Sequence, residues 1–366
     1  MKKILIGADI VPTEKNYEYF RSGDAEKLLG AELKEIFDRA DYRIFNLETP
    51  LTDSGKPILK TGPNLSAPTY TVAGYKAMGI DLLALANNHI MDQGRDAFRE
   101  TLDLLRAKEI EYIGGGLTKE EAKKPKILEL CGKKIGIFNC CEHEFSWIDD
   151  YGIGANGFDP LESLEDIAAL KARCDYVIVL YHGGRENFRY PSPLLQKTCR
   201  SMVRHGGDLV ICQHTHCVGA MEEYLGSTIV YGQGNTLFDS KSAGATELWQ
   251  TSILVELSVS EEGFCVDYIP IEKRNEFTLL SKNPEILDGF FSRSKEILEV
   301  GFVKRNYTEF VMTSPKVFEG YLTHLSSGDK LGTKHGAGTR NLLTCDPHRE
   351  FIITYVEELH KLYKDD

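Results

Sequence analysis

The sequence lacks the features that would place the protein in a membrane or on nucleic acid. No stretch approaches the ~18 consecutive apolar residues that a membrane-spanning helix needs, so we expect no membrane span. Positive charge is also scarce, because 43 Lys and Arg stand against 55 Asp and Glu and the formal net charge is −12. Such a surface repels phosphate backbones, which argues against nucleic acid as a partner.

Signs of export and of disulfide chemistry are missing as well. The segment Met1–Asp9 begins like a signal peptide, but its apolar run stops at Asp9 and no small-residue cleavage site follows. The nine cysteines are odd in number, irregularly spaced and without a Cys-x-x-Cys pair. This cysteine usage predicts reduced thiols and a cytoplasmic location.

What is present is the pattern of an α/β protein. Over the first three quarters of the chain, short β-branched apolar runs alternate with amphipathic stretches, which predicts parallel strands joined by right-handed crossovers. The predicted strands are Lys3–Ile10, Tyr42–Leu47, Leu82–Ala86, Glu111–Ile113, Ile135–Cys140, Tyr176–Tyr181, Leu209–Cys212, Thr228–Tyr231, Ser252–Ser258 and Phe264–Ile271. The predicted helices between them are Asp24–Arg39, Gln93–Lys108, Leu161–Arg173 and Pro193–His205.

The sequence pattern changes from alternating strands and helices to helices after about residue 272. We therefore predict one domain over 1–272 and a helical appendage or lid over 273–366. Helices are predicted at Pro284–Val300 and Asp346–Lys364. The Gly-rich segment Ser326–Asn341 lacks the spacing of a phosphate-binding loop and predicts a mobile surface loop. His335, Arg340 and His348 are candidate substrate contacts from this part of the chain.

Polar side chains follow six of the predicted strands, at the edge where α/β sheets bind ligands. Taken singly, each is explained by a turn or a helix cap, and Asn87 is predicted as a cap. Taken together, the carboxylates, carboxamides and imidazoles predict a site for a divalent first-row metal ion. His214-x-His216 is the most specific pair, because alternate residues of an extended chain face the same way. The side chains in question are Asp9, Asn46, Glu48, Asn87, Asn88, His89, Asp92, His182, Arg185, Glu186, His214, His216 and Asn235.

These segments, in their order and in their residues, resemble the bacterial capsule-synthesis CapA family, named for poly-γ-glutamate biosynthesis. The resemblance covers about residues 1–240. It rests on Asn46-Leu47-Glu48-Thr49-Pro50-Leu51, Asn87-Asn88-His89, His182-Gly183-Gly184-x-Glu186, Gln213-His214-Thr215-His216 and Gly234-Asn235-Thr236-Leu237-Phe238-Asp239. That family is similar to the calcineurin-like metallophosphoesterases. The resemblance implies a four-layer α/β/β/α sandwich with a two-metal site at one edge.

The resemblance also implies roles for individual residues. The implied metal ligands are Asp9, Glu48, Asn88, His182, His214 and His216, with Glu48 as the bridging carboxylate and His89 as the catalytic imidazole. One family ligand is missing, because Val11 stands where the first motif has a histidine. From its place beside His182, we predict that Arg185 binds a carboxylate or phosphate, with a surface ion pair to Glu186 as the alternative. Glu186 and Asn235 are predicted substrate-binding residues.

These observations predict a cytoplasmic metal-dependent hydrolase that uses one or two divalent ions (Mn, Fe, Zn or Mg) to activate water. The expected substrate is an anionic small molecule or polyglutamate, cleaved at a phosphoester or a γ-glutamyl-type amide. The alternative is a non-catalytic accessory or binding protein of capsule or polyglutamate biosynthesis that keeps part of the metal site. A thiol enzyme using Cys140-Cys141 is a third hypothesis, against which stands the apolar strand around Cys140.

Overall fold

The computed structural model describes residues 1–148, 152–238, 247–274, 276–326 and 333–362. Within these residues the strands are β1 (Lys2–Val11), β2 (Tyr42–Leu47), β3 (Leu82–Ala84), β4 (Glu111–Ile113), β5 (Gly115–Gly116), β6 (Lys126–Leu130), β7 (Lys133–Cys141), β8 (Gly154–Ala155), β9 (Tyr176–His182), β10 (Leu209–Gln213), β11 (Met221–Tyr224), β12 (Ser227–Val230), β13 (Asn235–Phe238), β14 (Thr251–Val259), β15 (Phe264–Arg274) and β16 (Phe277–Leu280). All ten predicted strands are found, with bounds that shift by no more than three residues.

The helices are α1 (Tyr17–Ser22), α2 (Ala25–Arg39), α3 (Val72–Ala77), α4 (Gly94–Ala107), α5 (Lys119–Lys123), α6 (Ser163–Lys171), α7 (Pro193–Arg204), α8 (Glu247–Gln250), α9 (Glu285–Glu296), α10 (Phe302–Met312), α11 (Pro315–Ser326), α12 (Lys334–Thr344) and α13 (Asp346–Leu362). One 3-10 turn spans Thr69–Thr71. Among the described residues, no helix is both long and apolar enough to cross a membrane.

Two sheets form the middle of the molecule. The first has the order β16-β15-β14-β1-β2-β3-β4, with β13 also pairing with β1; its β1 to β4 run parallel. The second has the order β11-β12-β10-β9-β7-β6, in which β7, β9, β10 and β12 run parallel. The parallel strands therefore bring their carboxyl ends to one edge of each sheet.

The sheets pack face to face and each carries helices on its outer side. Ile4 and Ile6 of β1 face Ile137 and Ile178 of the second sheet, while Leu5 between them faces the helices. This alternation follows from the pleat, which turns successive side chains to opposite faces. With α2 and α4 outside the first sheet and α6 and α7 outside the second, the predicted α/β/β/α sandwich is confirmed.

One predicted loop is wrong in part. Residues 334–341, predicted as loop, belong to α12, whereas 327–332 lie outside the described residues. Glycine lowers helix propensity, but here it permits close packing, because a side chain at Gly338 would lie 2.9 Å from Thr61. Leu342 and Cys345 are buried by the same packing.

Helices α10 and α13 pack on α7, outside the second sheet, whereas α9 contacts both β11 of the second sheet and β15 of the first. Tyr307, Val311 and Phe351 are buried against Phe188, which follows β9. The predicted domain boundary at residue 272 falls within β15, and β16 pairs with that strand. The division into two domains stays a prediction.

Candidate metal centre and substrate pocket

The six predicted metal ligands lie together, buried, at the carboxyl ends of strands from both sheets. Asp9 is near the end of β1, Glu48 directly follows β2, and Asn88 follows β3. His182 is the last residue of β9 and pairs in register with Gln213, directly before His214. Since the two sheets face each other, their polar ends converge on one point.

Interatomic distances show how compact the cluster is. His182 Nε2 lies 3.0 Å from Asn88 Oδ1, 3.2 Å from Glu48 Oε1 and 3.2 Å from His214 Nδ1. Two sets of ligand atoms each fit within 4.8 Å: one from Asp9, Glu48 and His182, the other from Glu48, His214 and His216. Glu48 belongs to both sets, which is the position of a bridging carboxylate.

The carboxylate of Glu48 tests whether these residues suit a metal ion. Glu48 is fully buried, and neither of its oxygens has a hydrogen-bond partner within the described part of the chain. Burial raises the pKa of Glu48 well above its usual range, and the nearby Asp9 adds to the effect. A buried carboxylate without donors is costly unless a cation pairs with it. The donor set therefore fits a divalent ion.

The protonation state of His182 also suits a metal ligand, whereas that of His214 does not. Burial lowers the pKa of His182 well below its usual value, which keeps its imidazole neutral. Burial also disfavours the charged form of His214, but three carboxylates together outweigh burial and raise the pKa to about 10. They are Glu142, which lies 3.2 Å from His214 Nε2, Glu186 and Glu144. Metal binding at His214 must therefore displace a proton.

His214 and His216 were predicted to converge because they lie on an extended segment, but their backbone is not extended. Strand β10 ends at Gln213, and the two histidines have φ values of 82° and 54°. The pair is therefore held by left-handed turns, and the expectation of an extended segment is wrong. The rings still converge, with centroids 5.9 Å apart.

An apolar cluster that includes Val11 lies beside the candidate ligands. Val11 packs with Phe238 and Trp249, and the Trp249 ring centroid lies 4.3 Å from that of His216. Asn235 closes the same side: with its amide oriented to suit its neighbours, Nδ2 is 2.7 Å from His216 Nδ1 and 3.2 Å from Asp9 Oδ2. Asn235 is fully buried against His216 and Asp9, and its predicted role in substrate binding stays a prediction.

His89 forms a buried chain of polar contacts next to Asn88. Its Nδ1 lies 2.6 Å from Asp92 Oδ2, and Lys60 Nζ lies 2.6 Å from Asp92 Oδ1 and 3.2 Å from His89 Nδ1. Burial, helped by the Lys60 charge, lowers the pKa of His89. Asn87 Oδ1 accepts hydrogen bonds from the backbone N–H groups of His89 and Ile90. These bonds close a turn, and α4 begins only at Gly94 after Gln93, so the prediction of Asn87 as a helix cap is wrong.

A cavity of about 210 Å³ opens beside the cluster, and its polar lining carries both signs of charge. It is lined by Asn88, His89 and His214 from the centre, by the cationic or basic Lys60, Arg185 and His348, and by the carboxylates Glu142, Glu144 and Glu186. Glu186 lines the cavity, and its role in substrate binding stays a prediction. Arg340 is not among the lining residues in the described part, and the side chain of His335 lies outside it.

The carboxyl-terminal helices supply one wall of this cavity. Arg185 Nη1 donates to Tyr321 Oη at 2.8 Å and lies 3.3 Å from His348 Nδ1, instead of forming a surface ion pair with Glu186. Asn341 Nδ2 donates to Glu144 Oε1 at 3.1 Å. Arg185 is thus held at the cavity by residues far from it in the sequence.

Sequence reasoning missed several cavity residues for different reasons. Glu142 directly follows β7, so the rule applied to the other parallel strands would have found it. Lys60 lies in an irregular segment between β2 and α3, and Asn341 lies in a segment predicted as a loop. For neither residue does the neighbouring sequence predict a position at the cavity.

Residues 3–240 match the family described as bacterial capsule synthesis protein PGA_cap. The capsule biosynthesis protein CapA of Bacillus anthracis is 26% identical over 270 residues, which cover 67% of this chain and 65% of that relative. The PGA biosynthesis protein CapA of Bacillus subtilis (strain 168) is 27% identical over 220 residues, which cover 57% and 56%. The chain thus spans less than two thirds of the length of these relatives.

Among solved structures, a phosphatase from Mycoplasma pneumoniae is similar to this chain with a TM-score of 0.45 and 16% identity. The similarity covers 75% of this chain and 94% of that one.

Proposed function

This chain belongs to the bacterial capsule synthesis protein family PGA_cap, and from that premise we propose that it is a metal-dependent hydrolase. The observation that carries the proposal is the fully buried carboxylate of Glu48, which has no hydrogen-bond partner among the described residues and is surrounded by ligand-type side chains. A protein gains nothing in stability from such an arrangement without a cation, so the arrangement indicates function.

Asp9, Glu48, Asn88, His182, His214 and His216 would hold one or two divalent ions, and Mn, Fe, Zn and Mg are the candidates. When bound, such an ion lowers the pKa of a water molecule and polarises a substrate oxygen. Asn46 fixes one ligand, because its Nδ2 donates to Asp9 Oδ1 at 2.6 Å. Asn235 fixes His216 and Asp9 from the other side.

His89 is the proton-transfer residue in this proposal. It borders the cavity, and Asp92 holds its Nδ1 so that Nε2 is the nitrogen left for the substrate. The lowered pKa makes the neutral imidazole the resting form. In that form His89 first accepts a proton and then donates a proton to the leaving group.

The cavity supports an anionic substrate despite the net charge of −12. Arg185 and Lys60 supply local positive charge for a phosphate or carboxylate group. We propose a phosphoester or a γ-glutamyl-type amide as the bond cleaved; the relatives are named for capsule and PGA biosynthesis. A cytoplasmic location stays a prediction from cysteine usage.

A second candidate function is that of a non-catalytic accessory or binding protein in capsule or polyglutamate biosynthesis. The observation that favours it is the apolar cluster of Val11, Phe238 and Trp249, which stands where a metal ligand of the related phosphoesterases is expected. A centre with one side closed in this way would keep a single ion and bind without turnover.

The test is an assay of the metal-loaded protein on a phosphodiester, a phosphomonoester and poly-γ-glutamate, with His89→Ala and His214→Ala alongside. We expect turnover of at least one substrate, lost on chelation and restored by metal. Binding of poly-γ-glutamate with no turnover of any substrate would reject the hydrolase and support the accessory protein.

A further inference from the structure

A second cluster of ligand-type side chains lies where the carboxyl-terminal helices meet the sandwich. Glu144 follows β7, Cys345 lies between α12 and α13, and His348 is in the first turn of α13. One carboxylate oxygen, the thiol sulfur and one imidazole nitrogen of these residues all lie within 4.8 Å of one another. None of the three belongs to the ligand set around Glu48.

The distance between Glu144 and His348 suits a shared ion better than a direct bond, while the Cys345 thiol donates to Glu142 Oε1 at 3.7 Å. His348 Nε2 is 3.8 Å from Glu144 Oε1, which is too long for a hydrogen bond. Zinc bonds of about 2.0–2.3 Å place two ligands of one tetrahedral ion at a separation of roughly this size. The other ring nitrogen, Nδ1, lies 2.7 Å from the Tyr321 hydroxyl. Such an outer hydrogen bond is typical of metal-binding histidines because it fixes the ring and turns the free nitrogen to the ion.

The carboxylate of Glu144 supplies an independent observation. Its side chain is 9% exposed, and its Oε2 is buried without a hydrogen-bond partner among the described residues. Asn341 satisfies only the other oxygen. As at Glu48, a buried carboxylate oxygen without a donor indicates a missing cation.

We propose that Glu144, Cys345 and His348 form a further metal site, selective for zinc or a similarly soft divalent ion. A thiolate selects such ions, and one carboxylate with one thiolate offsets the two positive charges. Binding requires Cys345 to lose its thiol proton, which leaves to solvent. Three protein ligands leave a fourth position open. Because Glu144 and His348 line the cavity, an ion held there borders the substrate.

This site would give the carboxyl-terminal helices a chemical role. A zinc ion on the cavity wall would bind an anionic part of the substrate opposite the centre at Glu48. The inference does not depend on the proposed hydrolase, since a metal on these three ligands can be detected without turnover.

The test is cobalt substitution of the full chain, followed by near-ultraviolet absorption. The centre at Glu48 contains no thiolate, so a thiolate-to-cobalt charge-transfer band reports on Cys345. We expect the band in the wild type and in Glu48→Gln, and its loss in Cys345→Ser. Cys265→Ser is the matched control, because Cys265 is exposed and remote from the cluster, and it should retain the band.

Elemental analysis of zinc-loaded protein provides a second readout. Cys345→Ser should lose one equivalent of zinc relative to the wild type and to Cys265→Ser. A wild type without the band, or a Cys345→Ser variant that keeps both the band and the full zinc content, would overturn the site. Loss of turnover in Glu48→Gln with the band intact would leave this inference standing beside a separate hydrolytic centre.

Discussion

The sandwich and the carboxyl-terminal helices build the same cavity by different means. The sandwich supplies Asn88, Glu142 and His214, which follow the ends of parallel strands. The helices α11–α13 supply Tyr321, Asn341 and His348, which act through contacts with residues of the sandwich. The sheet topology thus positions the candidate ligands, whereas packing of the helices forms the cavity wall.

The two regions also differ in their relation to the family. The match to the capsule synthesis family covers residues 3–240, which include Glu48 and the other five proposed metal ligands. Tyr321, Asn341, Cys345 and His348 lie beyond it. We therefore expect changes in the sandwich to affect the chemical step, and changes in the helices to affect substrate binding and stability.

The largest expected effect is that of His89→Ala on the chemical step. Loss of the proton-transfer imidazole should lower kcat by roughly 10²–10⁴-fold, a typical range for general acid–base residues. Metal content should stay unchanged, because His89 is not among the ligands. Steady-state kinetics with elemental analysis measure both. His205→Ala, an exposed histidine at the end of α7, is the control; an unchanged kcat in His89→Ala would remove the proposed role.

Arg185→Ala tests the boundary between the two regions. A charged hydrogen bond is worth about 1.5–3 kcal/mol, so KM should rise by roughly 10–150-fold with a smaller change in kcat. Tyr321→Phe removes the hydroxyl that accepts from Arg185 at 2.8 Å and should raise KM by only about 2–10-fold. If Arg185→Ala raises KM and Tyr321→Phe does not, the helices pack against the cavity without positioning its arginine.

A smaller effect is expected on stability at the contact between α13 and α7. Glu350 Oε1 accepts from the Leu194 backbone N–H at 2.7 Å, yet burial raises the pKa of Glu350 to about 7, from 4.5. Because the folded-state pKa is the higher one, the stabilisation is present below about pH 4.5 and is lost as the pH rises through 7.

Glu350→Gln should therefore be more stable than the wild type at pH 8, by roughly 1–3 kcal/mol, and should lose this advantage at pH 4. Urea unfolding at the two pH values measures the difference in free energy. Glu357→Gln, exposed on the same helix, is the matched control. A Glu350→Gln variant less stable than the wild type at both pH values would mean that its hydrogen bonds dominate.

The sequence was sufficient to predict the sandwich and to predict that the candidate ligand side chains lie together around Glu48. Apolar periodicity predicts β1, β2 and β9 almost to the residue, and parallel strands fix where Asp9, Glu48 and His182 meet. The same reasoning misjudged the backbone at His214 and His216, because residue spacing does not distinguish a strand from a left-handed turn.

The cavity wall was harder to predict because long-range packing forms it. Lys60 is buried against Asp92 by an irregular segment that has no periodic pattern. The glycines of α12 disfavour a helix locally, and contacts of Gly338 with Thr61 and His324 reverse that preference. Such tertiary contacts leave no short-range trace in the sequence.

In the proposed function, the buried carboxylate of Glu48 binds a divalent metal ion. The most direct test counts divalent ions by elemental analysis in Cys345→Ser protein, which leaves out the site on the carboxyl-terminal helices, with and without Glu48→Gln. We predict one or two equivalents of Mn, Fe, Zn or Mg when Glu48 is present, and an affinity at least ~100-fold weaker in Glu48→Gln, a loss at the upper end of what outer-shell changes cause. No bound ion with Glu48 present, or equal binding in both proteins, would contradict the account.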